Sequence, residues 1–182
     1  MIPTNNKVLV RVNLEQKDKV IIAGVEFSTA LKFDSNHREK SPVIAEVISS
    51  NELLKQGDFI VCHHNHFYPP SPYHLQGDLY SIPFNHTIFA KINKDGTLSA
   101  MCGNILGKRE EIKSEYYIPA ANNYYTDRIT ITDSGDTEYI VGQKIFTRPS
   151  APYDIVYNWD GIEKRVTKVN SEMICAVMTE NT

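Results

Sequence analysis

The spacing of the apolar residues constrains this chain most. They alternate at period two in short runs and almost never recur at the 3.6-residue period of an amphipathic helix. Val8-Leu9-Val10-Arg11-Val12, Val43–Ile48, Phe59–Cys62, Thr87–Ile92, Arg128–Thr132, Lys144–Thr147 and Ile174–Met178 are such runs. They are rich in β-branched and aromatic residues and are bounded by Gly, Pro, Asn and Asp, so each predicts a strand. Helical spacing is limited to one turn at Ser50–Lys55, before Gly57, and another at Ser171–Met173. Many short strands with almost no helix predict a barrel or a sandwich. Asp95-Gly96, between Thr87–Ile92 and Leu98–Met101, is the turn signal of a hairpin.

That turn falls near the middle of the chain, and the two halves resemble each other. Gly57-Asp58-Phe59-Ile60-Val61 matches Gly142-Gln143-Lys144-Ile145-Phe146, and Ser71-Pro72-Tyr73-His74-Leu75 matches Ala151-Pro152-Tyr153-Asp154-Ile155. Ile88-Phe89-Ala90 matches Ile174-Cys175-Ala176, and Val8-Leu9-Val10-Arg11 matches Ile105-Leu106-Gly107-Lys108-Arg109. The four matches keep one order, which predicts an internal duplication with units at 1–96 and 97–182.

Composition narrows the function classes. The 182 residues carry 19 Lys+Arg against 22 Asp+Glu, a formal charge of -3. No concentrated basic surface is expected, so nucleic acid is not an expected partner. At 41% hydrophobic residues the chain can build a core. No apolar run is long enough to span a bilayer as a helix, so no membrane partner is expected. The start, Met1–Asn6, lacks the basic and apolar regions of a secretory signal. Cys62, Cys102 and Cys175 are odd in number and widely spaced, as expected of reduced thiols. These readings together predict a cytoplasmic protein.

Between Val12 and Val43 the connection is about thirty residues long, more than a compact domain usually allows without a functional reason. Its flanks are polar, and its middle holds a small apolar island around Ile21 and Val25. Such a composition suits a segment that orders on a partner. Here the chain resembles the GroES-type co-chaperonins. The resemblance rests on the order Val8-Leu9-Val10-Arg11, Ala23-Gly24-Val25-Glu26-Phe27, Ala45-Glu46-Val47, Gly57-Asp58-Phe59-Ile60-Val61 and Ile88-Phe89-Ala90. Ile105–Arg109, Tyr117-Ile118-Pro119, Val141–Ile145 and Met173–Val177 repeat that order.

The resemblance implies an all-β fold of two tandem small GroES-like β-barrels. A long mobile loop at about 14–42 belongs to the first, and a shorter one at about 110–126 to the second. It implies no enzymatic activity and no cofactor. Val25 and Phe27, within Gly24-Val25-Glu26-Phe27, would enter a groove of a GroEL-type chaperonin ring, with Ile118 as the second loop's weaker counterpart. Ordering one loop costs several kcal/mol, so a homo-oligomeric ring presenting several loops is the expected form. The ring would cap the chaperonin over a client polypeptide. The stretches Ser49–Gln56 and Asp133–Thr137 are too short for the family's roof hairpin. That loss resembles the bacteriophage-encoded co-chaperonins, which would place the protein in a host cytoplasm. Two alternatives stay open. Val25 and Phe27 could form an edge strand, and the chain could be a structural or assembly protein of a phage particle.

Cys62-His63-His64-Asn65-His66 is the one sharp cluster of chemical side chains. On a continuing strand Cys62, His64 and His66 would share a face, with His74 or His86 completing a tetrahedral zinc set. An exposed loop leading into Pro69-Pro70-Ser71-Pro72 is the plainer expectation, so no metal is expected. There is no Gly-x-Ser-x-Gly turn, no motif around any cysteine and no Gly-rich phosphate loop. Ten tyrosines could stack bases, but without a basic stripe they read as core or subunit contacts.

Overall fold

A computed structural model describes residues 6–12, 19–22, 24–28, 43–49, 52–67, 70–111, 124–149, 151–159 and 162–178. In chain order its strands are β1 (Lys7–Arg11), β2 (Lys19–Ile22), β3 (Val25–Ser28), β4 (Val43–Val47), β5 (Phe59–Cys62), β6 (His74–Gln76), β7 (Leu79–Pro83) and β8 (Ile88–Ile92). There follow β9 (Leu98–Ala100), β10 (Asn104–Glu111), β11 (Tyr124–Ser134), β12 (Lys144–Thr147), β13 (Tyr153–Trp159), β14 (Ile162–Asn170) and β15 (Ile174–Met178). The only helical turns among the described residues are two 3-10 turns, His64–His66 and Ser171–Met173. Among the described residues no helix is long and apolar enough to cross a membrane. The turn expected at Ser50–Lys55 is not helical over the described residues 52–55.

The strands form two antiparallel sheets. The first has the order β6-β7-β1-β4-β5-β8-β9, and the second β15-β12-β11-β10-β14-β13-β3-β2. Read from the other end, the second contains β13-β14-β10-β11-β12-β15, the order of β6-β7-β1-β4-β5-β8. The registers agree as well. Val10 opposes Val47 and Tyr80, and Gly107 opposes Ile131 and Thr167. His74 opposes Tyr80 as Asp154 opposes Thr167. Val61 opposes Ala90 before a shift that brings Cys62 to Ile88. Phe146 opposes Ala176 before the same shift brings Thr147 to Ile174. All four sequence matches between the halves fall on these equivalent positions.

The turns agree too. Gly57 and Gly142 adopt φ of +85° and +93°, where a side chain would be strained. Each donates its N–H back to the preceding strand, to Val47 O at 2.8 Å and Ile131 O at 2.9 Å. Asp58 Oδ2 accepts the Lys55 N–H at 2.7 Å, and Gln143 Oε1 accepts the Ile140 N–H at 2.9 Å. The hairpin at Asp95-Gly96 forms as its sequence predicts, with Gly96 at φ +77°.

Two features cross between the halves. β9 follows residue 97 yet completes the first sheet, and β2 and β3 come from the first half yet extend the second. Each sheet runs from one end strand to another, and the two cover each other instead of closing singly. Alternation along β4 explains how: Val43, Ala45 and Val47 join a core within the first sheet, while Ile44 turns to the other side. There Ile44, Val61 and Phe89 pack with Leu106, Ile155 and Ile22 of the second sheet. Each such side chain contributes roughly 1.5–3 kcal/mol by leaving water. Ile105, Ile129, Ile131, Ile145 and Val169 form a third core in the second sheet.

Candidate interaction site

The segment Gly24-Val25-Glu26-Phe27 lies in a hairpin. Ile22 opposes Val25 and Ile21 opposes Glu26, so β2 and β3 form a hairpin with a turn at Gly24. Gly24 sits in it at φ +78°, the conformation such turns demand. On its other side β3 pairs with β13: Val25 with Trp159, Glu26 with Asn158, Phe27 with Tyr157. The backbone of the tripeptide is therefore engaged on both sides. Ile22 is 8% exposed and roots the hairpin in the core between the sheets. Residues 13–18, 23 and 29–42 of the expected loop lie outside the described residues, as do Ile118 and residues 112–123.

The receiving strand is held from behind. Asp154 on β13 accepts from Arg109 Nε at 3.2 Å and Thr167 Oγ1 at 2.9 Å, with Arg165 at 3.8 Å. Three strands of the second sheet are thus tied at the root of β13. These partners are 45 and 13 residues away in sequence for the two hydrogen bonds, so no local pattern announces them.

The His cluster departs from the extended geometry that would align ligands. The strand ends at Cys62, which is fully buried, and burial followed by the nearby Cys102 pushes its thiol up. His63 then caps a 3-10 turn, its Nδ1 accepting the Asn65 N–H at 3.2 Å. His66 is buried, with Nε2 at 2.5 Å from Thr87 Oγ1 and its ring 4.9 Å from Tyr73. The His63 ring stacks on His64 at 4.5 Å and meets Phe89 edge-on at 5.9 Å. Burial lowers the His63 pKa to about 4, and the neighbouring His64, Lys168, His66 and His86 add to the shift. Burial, with His86, lowers His66 in the same direction. The His63 and His66 imidazoles are neutral at neutral pH. Among the described residues no group of three His, Cys, Asp or Glu side chains could hold a metal.

Two residues that sequence reasoning missed stand at the seam between the sheets. Lys168 is 9% exposed, and its ammonium lies 4.3 Å over the Phe89 ring. Burial lowers its pKa to about 8. Asn104 is fully buried and its amide donates to the carbonyls of His86, Ile88 and Met101 at 2.8–2.9 Å, tying the β8–β9 hairpin to β10. An isolated Lys in an alternating strand, or an Asn after a Gly, carries no local mark of burial. Comparison with protein-family models, curated proteins and solved structures finds no match to this chain.

Proposed function

We propose that the chain is a GroES-type co-chaperonin, two GroES-like barrels in tandem over 1–96 and 97–182, acting in a cytoplasm without enzymatic chemistry. The observation that carries this reading is the β2–β3 hairpin. It is inserted between the first unit's opening strand and β4, on connectors of 13–18 and 29–42, and it bears Gly24-Val25-Glu26-Phe27. Its attachment to β13 is a three-residue ladder plus the buried Ile22. Each ladder hydrogen bond contributes about 1 kcal/mol net, so a chaperonin groove can compete for the hairpin.

Weak single contacts of this kind need a ring, and an open strand edge supports one. The outer edge of β8 carries β9, whereas the corresponding edge of β15 carries no strand among the described residues. A second copy can add a strand to it. The same open edge also favours the alternative of a structural or assembly protein that pairs with its own kind and ignores chaperonins.

Native mass measurement of the full chain, with and without a GroEL-type chaperonin and ATP, tests both readings. The co-chaperonin reading expects a nucleotide-dependent complex that Val25→Asp or Phe27→Asp abolishes. Intact binding by those variants overturns the loop assignment. A stable assembly that never joins the chaperonin favours the alternative.

A further inference from the structure

The connections β4–β5 and β11–β12 occupy equivalent places in the two units, and both present apolar tips to one groove. The groove encloses about 610 Å³ and is lined by Leu53 from the first connection and Ile140 and Val141 from the second, with Met101, Asp133 and Asp136 between them. Leu53, Ile140 and Val141 are 63%, 65% and 60% exposed. They are three of the seven large apolar side chains exposed among the described residues, and all three line this groove. Leaving such side chains in water forgoes the gain of burying them. Apolar side chains gathered on a concave surface mark an interaction site more than scattered ones do.

Charge narrows the occupant. Among the described residues Lys91 is the only cation lining the groove, and Asp58 neutralises it at 2.7 Å. Asp133 and Asp136 use one oxygen each on the N–H groups of Ala100 and Glu138. Exposed Glu52 and Glu138 adjoin the lining in sequence. The groove is apolar with an acidic rim, complementary to a cationic, apolar strand.

We propose that this groove binds an extended polypeptide segment whose two or three apolar side chains are flanked by lysine or arginine. The inference goes beyond chaperonin docking and stands without it. Fluorescence anisotropy of the full chain with labelled decapeptides tests it, one with a Leu-Val-Leu centre flanked by lysines and one flanked by glutamates. The lysine-flanked peptide is expected to bind at least about tenfold more tightly, with an affinity that falls as salt rises. Leu53→Ser with Ile140→Ser should weaken it about tenfold or more, while Leu75→Ser, exposed elsewhere, leaves it unchanged. Asp136→Asn, which keeps the acceptor for the Glu138 N–H, should weaken binding about threefold and reduce the salt dependence. Equal binding of the two peptides, binding of neither, or wild-type affinity in both Leu53→Ser with Ile140→Ser and Asp136→Asn overturns the proposal.

Discussion

Where the opening strand of each six-stranded unit crosses its neighbour, the first unit carries Val10 and the second Gly107. Both are buried, and both oppose equivalent residues, Val47 and Ile131. Yet a Cβ on Gly107 would stand 2.3 Å from Ile129 Cγ2 and 2.6 Å from the Thr130 carbonyl oxygen. The second contact is backbone, which cannot step aside. A register shift between Leu106 and Gly107 falls at this point of the β10–β11 ladder, whereas the β1–β4 ladder begins only at Val10. One topology is thus packed in two ways. Gly107→Val should cost about 3 kcal/mol or more in urea denaturation, against about 2 kcal/mol for Val10→Ala. Equal costs would mean that the two positions are not packed differently after all.

The last strands of the units differ in their outer edges. Ile88, Phe89, Ala90 and Ile92 are buried, whereas Cys175, Ala176, Val177 and Met178 are exposed. Met101 donates its N–H to Phe89 O at 3.1 Å, so Phe89 and Lys91 turn their backbone groups toward β9. The equivalent groups of Cys175 and Val177 face the open side of β15. Proline at position 91 removes a ladder donor and the ion pair with Asp58. Lys91→Pro should therefore cost about 2–3 kcal/mol. Val177→Pro should cost a single chain under about 1 kcal/mol, yet block any strand that adds there. Chemical denaturation checks the first figure, and native mass the second effect. A ring or dimer that survives Val177→Pro does not use this edge.

Titration separates the units further. Lys168 takes the position that Ser81 takes in the first unit, opposite Leu106 where Ser81 opposes Leu9. With its pKa lowered by burial from 10.5 to about 8, the folded protein releases this proton before the unfolded chain does. Stability should rise as pH climbs from about 8 to 10.5, with the full penalty present below 8. Lys168→Met should stabilise the protein by about 2 kcal/mol at pH 7 and flatten that slope. In the first unit the sensitivity lies on the acid side. His63 in the folded protein titrates near 4 instead of 6.5, so stability is present above pH 6.5 and is lost as pH falls toward 4. His63→Asn keeps a capping acceptor for Asn65 and should remove about 1 kcal/mol of that acid loss after allowance for solvent screening. Melting temperatures across pH 4–10 test both limbs, and acid loss unchanged in His63→Asn would assign it to other groups.

Much of this comparison is legible in the sequence, for a local reason. Strand content follows from period two, and Phe59–Cys62, Lys144–Thr147 and Ile174–Met178 have the bounds their apolar runs predict. The equivalences survive in positions with a strict local demand, such as Gly57 and Gly142 at positive φ. What is not legible depends on pairing at long range. Nothing near Val25 announces that β3 joins β13, some 130 residues later, because a ladder is indifferent to most side chains. The His run reads as a possible ligand set until the chain bends at His63, a bend set by one side-chain acceptor. Asn104 and Lys168 are buried by the meeting of two sheets, which no window along either half contains.

The smallest expected difference concerns the residue after each turn glycine, Asp58 in one unit and Gln143 in the other. Both side chains close the turn by accepting the N–H three residues back. Only Asp58 also meets a cation, Lys91 at 2.7 Å, with the two side chains 20% and 26% exposed. Burial pushes the Asp58 carboxyl up, but the hydrogen bonds from Lys91 and the Lys55 N–H outweigh it and hold the pKa below the usual 3.8. Its contribution is therefore present above pH 3.8 and fades as pH falls below it. Asp58→Gln copies the second unit's solution, retaining the turn and giving up the ion pair. The loss should be about 1 kcal/mol at low salt and less at high salt, read from paired denaturation curves. A loss well above that would show that glutamine cannot close this turn, and that the two turns share a backbone but not a side-chain mechanism.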